Sequence, residues 1–529
     1  MQRLDPPLIY PEARFFLDFV RHRRLAGDFF QHTLDSLPHL VNERRSYPDA
    51  ATRVAVSDAL WDYNRRLGAS DETLKSIEAV RDPASLCVVG GQQAGFLGGP
   101  LFVVFKIASI LCIADDLRER LAVPVLPLFW LATEDHDFDE INRIHWVDPS
   151  GRLETVAFEW TERGQPIEHL PITPDVRRAY DAVMHQIPFV DPTHAAMFAP
   201  ESHDTYGSWH ARIWCRLFAD RGLALVEPYV LRPLAGSMFT RARTDRASVH
   251  AALAGGAARL RKAGYPVPLD VGQAGTLFTT APSGMRRRLD TAKADDGVGV
   301  ETLSPDAALR PLFADALLPT VAQVLGPSEL AYHAMLRPLY ERWSVPQPVA
   351  LARHGGTLLS RGDAALLADL GVRIEDLLSP DFASRDALSR NESSHLRTAF
   401  EAAGRGIENA LTPLREEVAA LDPGLDARWR QTLDQCRHQL SRFEDRAVRA
   451  DLARRGISAK RFAALRSRLF PTDKPQERIL SAVSVIAAHG VEWIRSLIAC
   501  GEPDGFIHQV IVLEDSDDPS RHHRIRDAS

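Results

Sequence analysis

The chain has 529 residues, 45% of them apolar and 25% charged, enough for more than one domain around a large buried core. Its 63 lysines and arginines against 70 aspartates and glutamates leave a net charge of −7, which argues against a nucleic-acid binder. No apolar run is long enough to span a bilayer, and Met1 to Tyr10 lacks the apolar segment of a signal peptide, so the cytoplasm is the expected compartment.

Residues 1 to 80 read as a helical layer, with apolar faces at Phe15-Phe16, Phe19-Val20, Phe29-Phe30 and Leu60-Trp61. Residues 81 to 150 read as the first part of an α/β core. Leu86 to Val89 is a short apolar run, the pattern of a buried strand. It enters a turn from Gly90 to Gly99 in which five of ten residues are glycine. Pro100 suits the first turn of a helix, and Leu101 to Leu117 is apolar nearly all round, so that helix should be buried. Val125 to Trp130 is a second buried strand, followed by the acidic stretch Thr133-Glu134-Asp135-His136-Asp137-Phe138-Asp139-Glu140-Ile141-Asn142. Ligands of open α/β sheets sit at the carboxyl ends of strands, where both unusual loops fall.

Residues 151 to 208 weaken into short pieces such as Thr155-Val156-Ala157-Phe158 and read as an inserted connecting subdomain. The core resumes over 209 to 240, with a helix from Trp209 to Ala219, a stop at Gly222 and a strand at Leu223 to Pro228. Residues 241 to 308 form a second insertion, with a strand at Leu277 to Thr280 and the basic run Arg286-Arg287-Arg288, read as solvated surface rather than a phosphate contact. Residues 309 to 380 complete the core.

From 385 to 470 the pattern changes. Ile407, Leu411, Leu414, Val418 and Leu421 alternate spacings of four and three, as do Trp429, Leu433, Cys436, Leu440, Phe443, Ala447 and Ala450. With the turn Asp422-Pro423-Gly424 between them, the two seams predict an antiparallel coiled-coil hairpin. Residues 471 to 529 return the chain, with an edge strand at Phe506 to Leu513 and a frayed polar tail from Ser516 to Ser529. The five cysteines (Cys87, Cys112, Cys215, Cys436 and Cys500) are scattered singly and indicate neither a zinc ribbon nor a disulfide framework.

The glycine turn is neither a Walker A loop nor Gly-x-Gly-x-x-Gly, because it lacks the Lys-Ser/Thr and the spacing those need. Gln92 and Gln93 add amides that donate and accept, and Lys106 sits inside the apolar helix, either reaching the surface or pointing its ammonium at a phosphate. The acidic stretch allows three uses. Its acids cap a helix, or they hold a divalent metal with His136 for a hydrolase, although no His-x-x-x-His supplies the spacing. In the third use they serve amide formation, with His136 as proton acceptor and Asp135 and Asp137 on ammonium or hydroxyl groups.

Gly-Gln-Gln-Ala-Gly from Gly91, Gly-Pro-Leu-Phe from Gly99, Lys106 and the stretch Phe129 to Phe138 resemble the bacillithiol biosynthesis cysteine-adding enzymes called BshC. A second block agrees, running through Arg310, Val324-Leu325-Gly326-Pro327-Ser328-Glu329-Leu330-Ala331-Tyr332, Leu336 to Tyr340 and Arg353. The loop here reads Arg353-His354-Gly355-Gly356, without the serine that relatives carry two residues after the arginine. The resemblance implies a Rossmann-like, mostly parallel sheet with inserted subdomains and a C-terminal antiparallel coiled-coil arm that makes a homodimer. It is also similar to class I aminoacyl-tRNA synthetases, whose His-x-Gly-His and Lys-Met-Ser-Lys-Ser signatures are absent here.

What it implies chemically is a ligase that adds L-cysteine to the amine of glucosaminyl-malate with ATP and Mg²⁺, without a protein-bound metal, nucleic acid or membrane. The expected catalytic residues are His136, Asp137 and Asp135. Substrate or nucleotide contacts are expected from Gly91, Gln92, Gln93, Gly98, Lys106, Glu134, Asn142, Arg310, Gly326, Ser328, Glu329, Tyr332 and Arg353. A nucleotide-binding coiled-coil scaffold without catalysis and a metal-dependent hydrolase are the alternatives.

Overall fold

Five apolar segments assemble into one parallel sheet in a computed structural model of the chain, which describes residues 2–22, 24–148, 150–160, 164–289, 298–378, 394–454, 459–499 and 505–513. The strands are β1 (Leu86–Gln92), β2 (Val125–Leu131), β3 (Ala224–Val226), β4 (Thr320–Leu325) and β5 (Val349–Ala352). Their order is β5-β4-β1-β2-β3, and each neighbouring pair is parallel. All of β2, β3, β4 and β5 is buried, as strands covered on both faces must be. From β1 the chain builds outward through β2 and β3, then returns to β1's other side as β4. The order therefore reverses between β1 and β4, and such a switch point leaves a crevice at the carboxyl ends of the strands.

The helix α1 (Phe102–Leu121) carries a buried run from Val103 to Ala114 and packs on β1, β2 and β4. It runs one turn beyond the expected Leu117, because Arg118 donates to the Val125 carbonyl at 2.9 Å and pairs with Asp115 at 2.6 Å. The helix α2 (Tyr206–Leu217) starts ahead of the expected Trp209. Thr205 and Ser208 form a capping box there, each side chain taking the other's backbone N–H. The helices α3 (Arg310–Leu317) and α4 (Pro327–His333) flank β4.

The N-terminal helices are fixed to this core by two buried arginines. Arg44 donates to the Asp315, Leu318 and Pro346 carbonyls, and Arg53 to those of Pro48, Val80, Asp82, Ser85 and Arg44. Charge-assisted bonds to several carbonyls are what make a buried guanidinium tolerable.

The expected edge strand near the C-terminus is instead the middle of a three-stranded sheet. His508–Leu513 lies between Gln2–Leu4 and Gly355–Ser360. The polar start of the chain thus contributes a strand, antiparallel to His508–Val510, because the free side of that late strand needs a ladder partner. In the second insertion, Leu277–Thr280 pairs with Arg286–Arg288 and Leu303–Pro305. Cys500 and the polar tail from Ser516 lie outside the described residues.

The chain divides into two compact units, one of residues 1–146, 153–359 and 473–529, the other of residues 147–152 and 360–472. The second unit holds two long helices, Ser394–Leu421 and Leu425–Arg454. The Trp429 indole donates to the Leu411 carbonyl at 2.8 Å, Arg415 meets Asp426 at 2.7 Å and Arg437 meets Glu408 at 2.7 Å. These pairs step down one helix as they step up the other, so the helices are antiparallel. The first residues of the expected arm, 385 to 393, lie outside the described residues.

Candidate active site

The sheet places its switch point under a cavity of about 280 Å³. The ends of β1 (Val89 to Gln92), β2 (Trp130) and β4 (Gln323, Leu325) form its floor, with Gln93, Asp135, Glu140, Arg310, Glu329, Tyr332 and His333 around it. Glycine is required at Gly91, because a Cβ there would lie 2.8 Å from the Trp130 carbonyl oxygen on the neighbouring strand. The turn's glycines thus serve close packing as well as access to the cavity.

Asp135 is held on several sides. Its carboxylate accepts from the Gln93 amide at 3.0 Å and from the His136 backbone N–H at 2.8 Å. Burial pushes the carboxyl up, but the His136 and Gln93 bonds and the Arg310 charge outweigh it and hold Asp135 well below the usual range. Arg310 also pairs with Glu134, which is buried beneath it.

On the opposite wall Glu329 pairs with Lys106. The Lys106 ammonium donates to both Glu329 oxygens at 2.8 and 2.7 Å, to the Gly91 carbonyl at 2.6 Å and to Gln92 Oε1 at 3.2 Å. With 1% of its side chain exposed, Lys106 does not reach the surface, and its ammonium is paired with Glu329. Glu329 Oε2 also accepts the Gly326 N–H at 2.6 Å, capping α4. Burial pushes Glu329 up, but Lys106 and that N–H pull it below its ordinary value. His333, behind it, is driven by burial down to about 4 and is neutral.

Of the residues singled out from the sequence, Gly91, Gln92, Gln93, Asp135, Arg310, Glu329 and Tyr332 line the cavity, while Lys106 and Glu134 stand behind it as ion-pair partners. His136 does not line it. Its side chain is 40% exposed, and its Nδ1 sits 3.1 Å from Arg286 Nη1. The same nitrogen lies 3.6 Å from Asp135 Oδ1, so the ring sits between that carboxylate and the Arg286 guanidinium. Asp137 is exposed and also lies off the lining.

Arg353 is elsewhere, fully buried, donating to Glu477 at 2.8 Å and the Tyr10 hydroxyl at 3.2 Å with Phe102 beneath it. Gly355 and Gly356 are closely packed there. A Cβ on Gly355 would lie 2.7 Å from His508 Nδ1, and one on Gly356 would lie 2.6 Å from the Phe105 ring. Asn142 donates to the Phe158 carbonyl at 3.2 Å, and Gly98, at φ +91°, lies against the Trp214 ring. Both are supports of the loop rather than of the cavity. Ser328 is exposed on the first turn of α4, outside the lining.

Three polar lining residues were not among the site residues expected from the sequence: Glu140, Gln323 and His333. Gln323 had a signal, as the one polar side chain between Val321 and Leu325, and it donates to the buried Asp315 at 2.8 Å. Arg286 also had one, in the basic run. It is buried over the Phe278 ring at 4.0 Å rather than solvated.

Among the described residues no group of three or more His, Cys, Asp and Glu is placed to hold a metal ion, so the hydrolase alternative gains no support. No described helix is long and apolar enough to cross a membrane.

Comparison with known proteins agrees with this architecture along most of the chain. Residues 7–302 and 299–354 match the family described as "Bacillithiol biosynthesis BshC, N-terminal Rossmann-like domain", and residues 356–513 match its C-terminal coiled-coil domain. Similar relatives named "Putative cysteine ligase BshC" come from Geobacillus thermodenitrificans (29% identical, covering 87% of this chain and 90% of the relative) and Solibacter usitatus (27%, covering 95% and 97%). Another comes from Salinibacter ruber (27%, covering 96% and 98%). With both family domains matched in order, a parallel Rossmann-like core followed by an antiparallel helical hairpin, the chain belongs to the bacillithiol biosynthesis BshC family.

Proposed function

We propose that the chain joins L-cysteine to the amine of glucosaminyl-malate, closing bacillithiol synthesis. Its relatives are named as ligases, and this chain is an enzyme of that kind. The observation that carries the finer reading is that the Asp135 carboxylate and the Arg310 guanidinium both line the cavity, close enough for the arginine's charge to act on the acid. An amino acid presents an ammonium beside a carboxylate, and a fixed anion beside a guanidinium answers both. The volume, about 280 Å³, lies just below the roughly 300–1,000 Å³ of ligand pockets.

Forming the amide requires an activated cysteine carboxyl, and ATP with Mg²⁺ is the activator proposed. The lining residues do not by themselves fit a triphosphate. Arg310 is the one guanidinium among them, while Asp135, Glu140 and Glu329 are acidic. The work assigned to these residues is therefore holding the two substrates and moving protons. Cysteine carrying ¹⁸O in its carboxylate tests the activation. Under this reading one label appears in AMP or phosphate for each amide formed, whereas amide without label transfer removes ATP from the reaction.

A homodimer through the helical hairpin is proposed with it. Leu414, Leu421 and Phe443 expose 47, 82 and 62% of their surface there, and a second hairpin would cover them. A cytoplasmic setting is proposed too. The four described cysteines are free, which fits a reducing compartment.

A further inference from the structure

We infer that Glu140 takes the proton from the attacking amine while Asp135 remains an anion that holds an ammonium group, an assignment that rests on the ligase reading above. Both carboxylates belong to the loop after β2, both line the cavity, and the Gln93 amide reaches both. Their surroundings differ. Asp135 accepts two hydrogen bonds and has Arg310 and, at 3.8 Å, Arg286 as cationic neighbours. The charges of Asp137 and Asp135 act against the Glu140 carboxylate, and Arg478 from the chain's return acts for it. Partial burial first, and then those two anions, push the Glu140 carboxyl above its ordinary value, while Asp135 is pulled the other way. Two carboxyls whose environments push them apart divide the labour, one staying charged and the other exchanging protons.

The other titratable groups of the cavity are engaged or mismatched. Glu329 is tied to Lys106 and the Gly326 N–H, and His333 is buried and neutral. Burial raises the Tyr332 hydroxyl further above its already high value, so it holds its proton, and the His136 ring meets Arg286. Glu140 is exposed at the mouth, where a captured proton passes to water.

The step balances as follows. An amine attacks as R–NH₂, so R–NH₃⁺ gives its first proton to the Glu140 carboxylate and Glu140 becomes the neutral acid. After Glu140 returns that proton to water, the nitrogen would bond to the carbonyl carbon of a cysteine whose carboxyl carries a leaving group. The carbon–oxygen bond to the leaving group breaks with its electron pair, and the second nitrogen proton goes to Glu140.

The test is a pH series of kcat and KM for the full-length chain with cysteine, glucosaminyl-malate, ATP and Mg²⁺, alongside Glu140→Gln and Glu140→Ala. Glu140→Gln is expected to lower kcat by about 10²–10⁴-fold with little change in either KM, and to lose the acid limb of the profile. Added formate should restore part of the Glu140→Ala rate. A Glu140→Gln enzyme near the unmutated rate overturns the assignment and leaves the ligase reading standing. So does a loss that formate does not restore. No product from the unmutated chain overturns the ligase reading, and the assignment falls with it.

Discussion

Lys106 and Glu329 stand 223 residues apart in the chain and meet at 2.7 Å beneath the cavity. The pair joins α1 to α4 across the switch point between β1 and β4. Through its further bonds to Gly91 and Gln92, the ammonium also fixes the end of β1. One buried cation thereby sets the position of two of the cavity's walls.

Lys106→Met should therefore cost about 3–5 kcal/mol of unfolding free energy, the usual result of leaving one partner of a buried pair uncompensated. The sign of its pH dependence follows from Glu329. Its lowered carboxyl contributes stability above the unfolded value of about 4.3, and that contribution is lost as pH falls through the lower folded value. The gap between the unmutated chain and the variant in denaturant titrations should then narrow on acidification below pH 4 or so. A gap of constant size from neutral to acid pH would contradict the ion pair as its source.

Asp315 predicts the opposite slope. Burial raises its carboxyl to about 6, against the pull of Arg44 and the hydrogen bonds from Tyr340 and Gln323. A raised folded value contributes stability that is complete below the unfolded value of about 3.9 and is lost as pH rises through the folded one. Unfolding free energy should fall between roughly pH 4 and 6, by at most about 1.4 kcal/mol per unit from this group. Asp315→Asn should remove that slope in urea titrations. Its persistence in the variant would assign the slope to another group.

His136 and Asp135 are adjacent in sequence yet should respond differently. Asp135→Asn removes the anion of a charge-assisted contact worth about 1.5–3 kcal/mol, so KM for cysteine should rise roughly ten- to a hundredfold. His136→Asn should leave turnover nearly unchanged, because the ring faces Arg286 outside the lining. A large loss of kcat in His136→Asn, with KM and melting temperature unmoved, would return the proton-accepting role to His136.

How much of this was legible beforehand depends on the range of each interaction. β1, α1, β2 and the hairpin helices announce themselves through periodicity, which is local. The lysine within α1 was conspicuous in an apolar run, but nothing local names a partner 223 residues on. The acidic stretch offered five carboxylates within seven residues, Glu134 to Glu140, with no local mark to tell Glu140 at the cavity from Asp137 outside it. Only the fold, which brings Gln93 to Glu140, separates them. Arg353 misled for the complementary reason. A basic residue after a strand reads as a ligand contact until Glu477 and Tyr10, from distant segments, are seen to enclose it.

The hairpin makes its own prediction. Full-length protein should be a dimer by light scattering at micromolar concentration, and Leu421→Asp combined with Phe443→Asp should make it a monomer with the fold intact by circular dichroism. Both side chains are largely exposed in the single chain, so charge there costs folding little and association much. A full-length protein that is already monomeric would contradict the proposal.

The ligase activity itself is read by mass. Purified full-length chain is incubated with cysteine, glucosaminyl-malate, ATP and Mg²⁺, and the mixture is read by mass spectrometry. The expected product is a new species weighing the sum of the two substrates less one water, absent when either substrate or the nucleotide is left out and lost when Arg310 is changed to Ala. No such species with any nucleotide, under conditions where the chain is folded, would contradict the ligase reading.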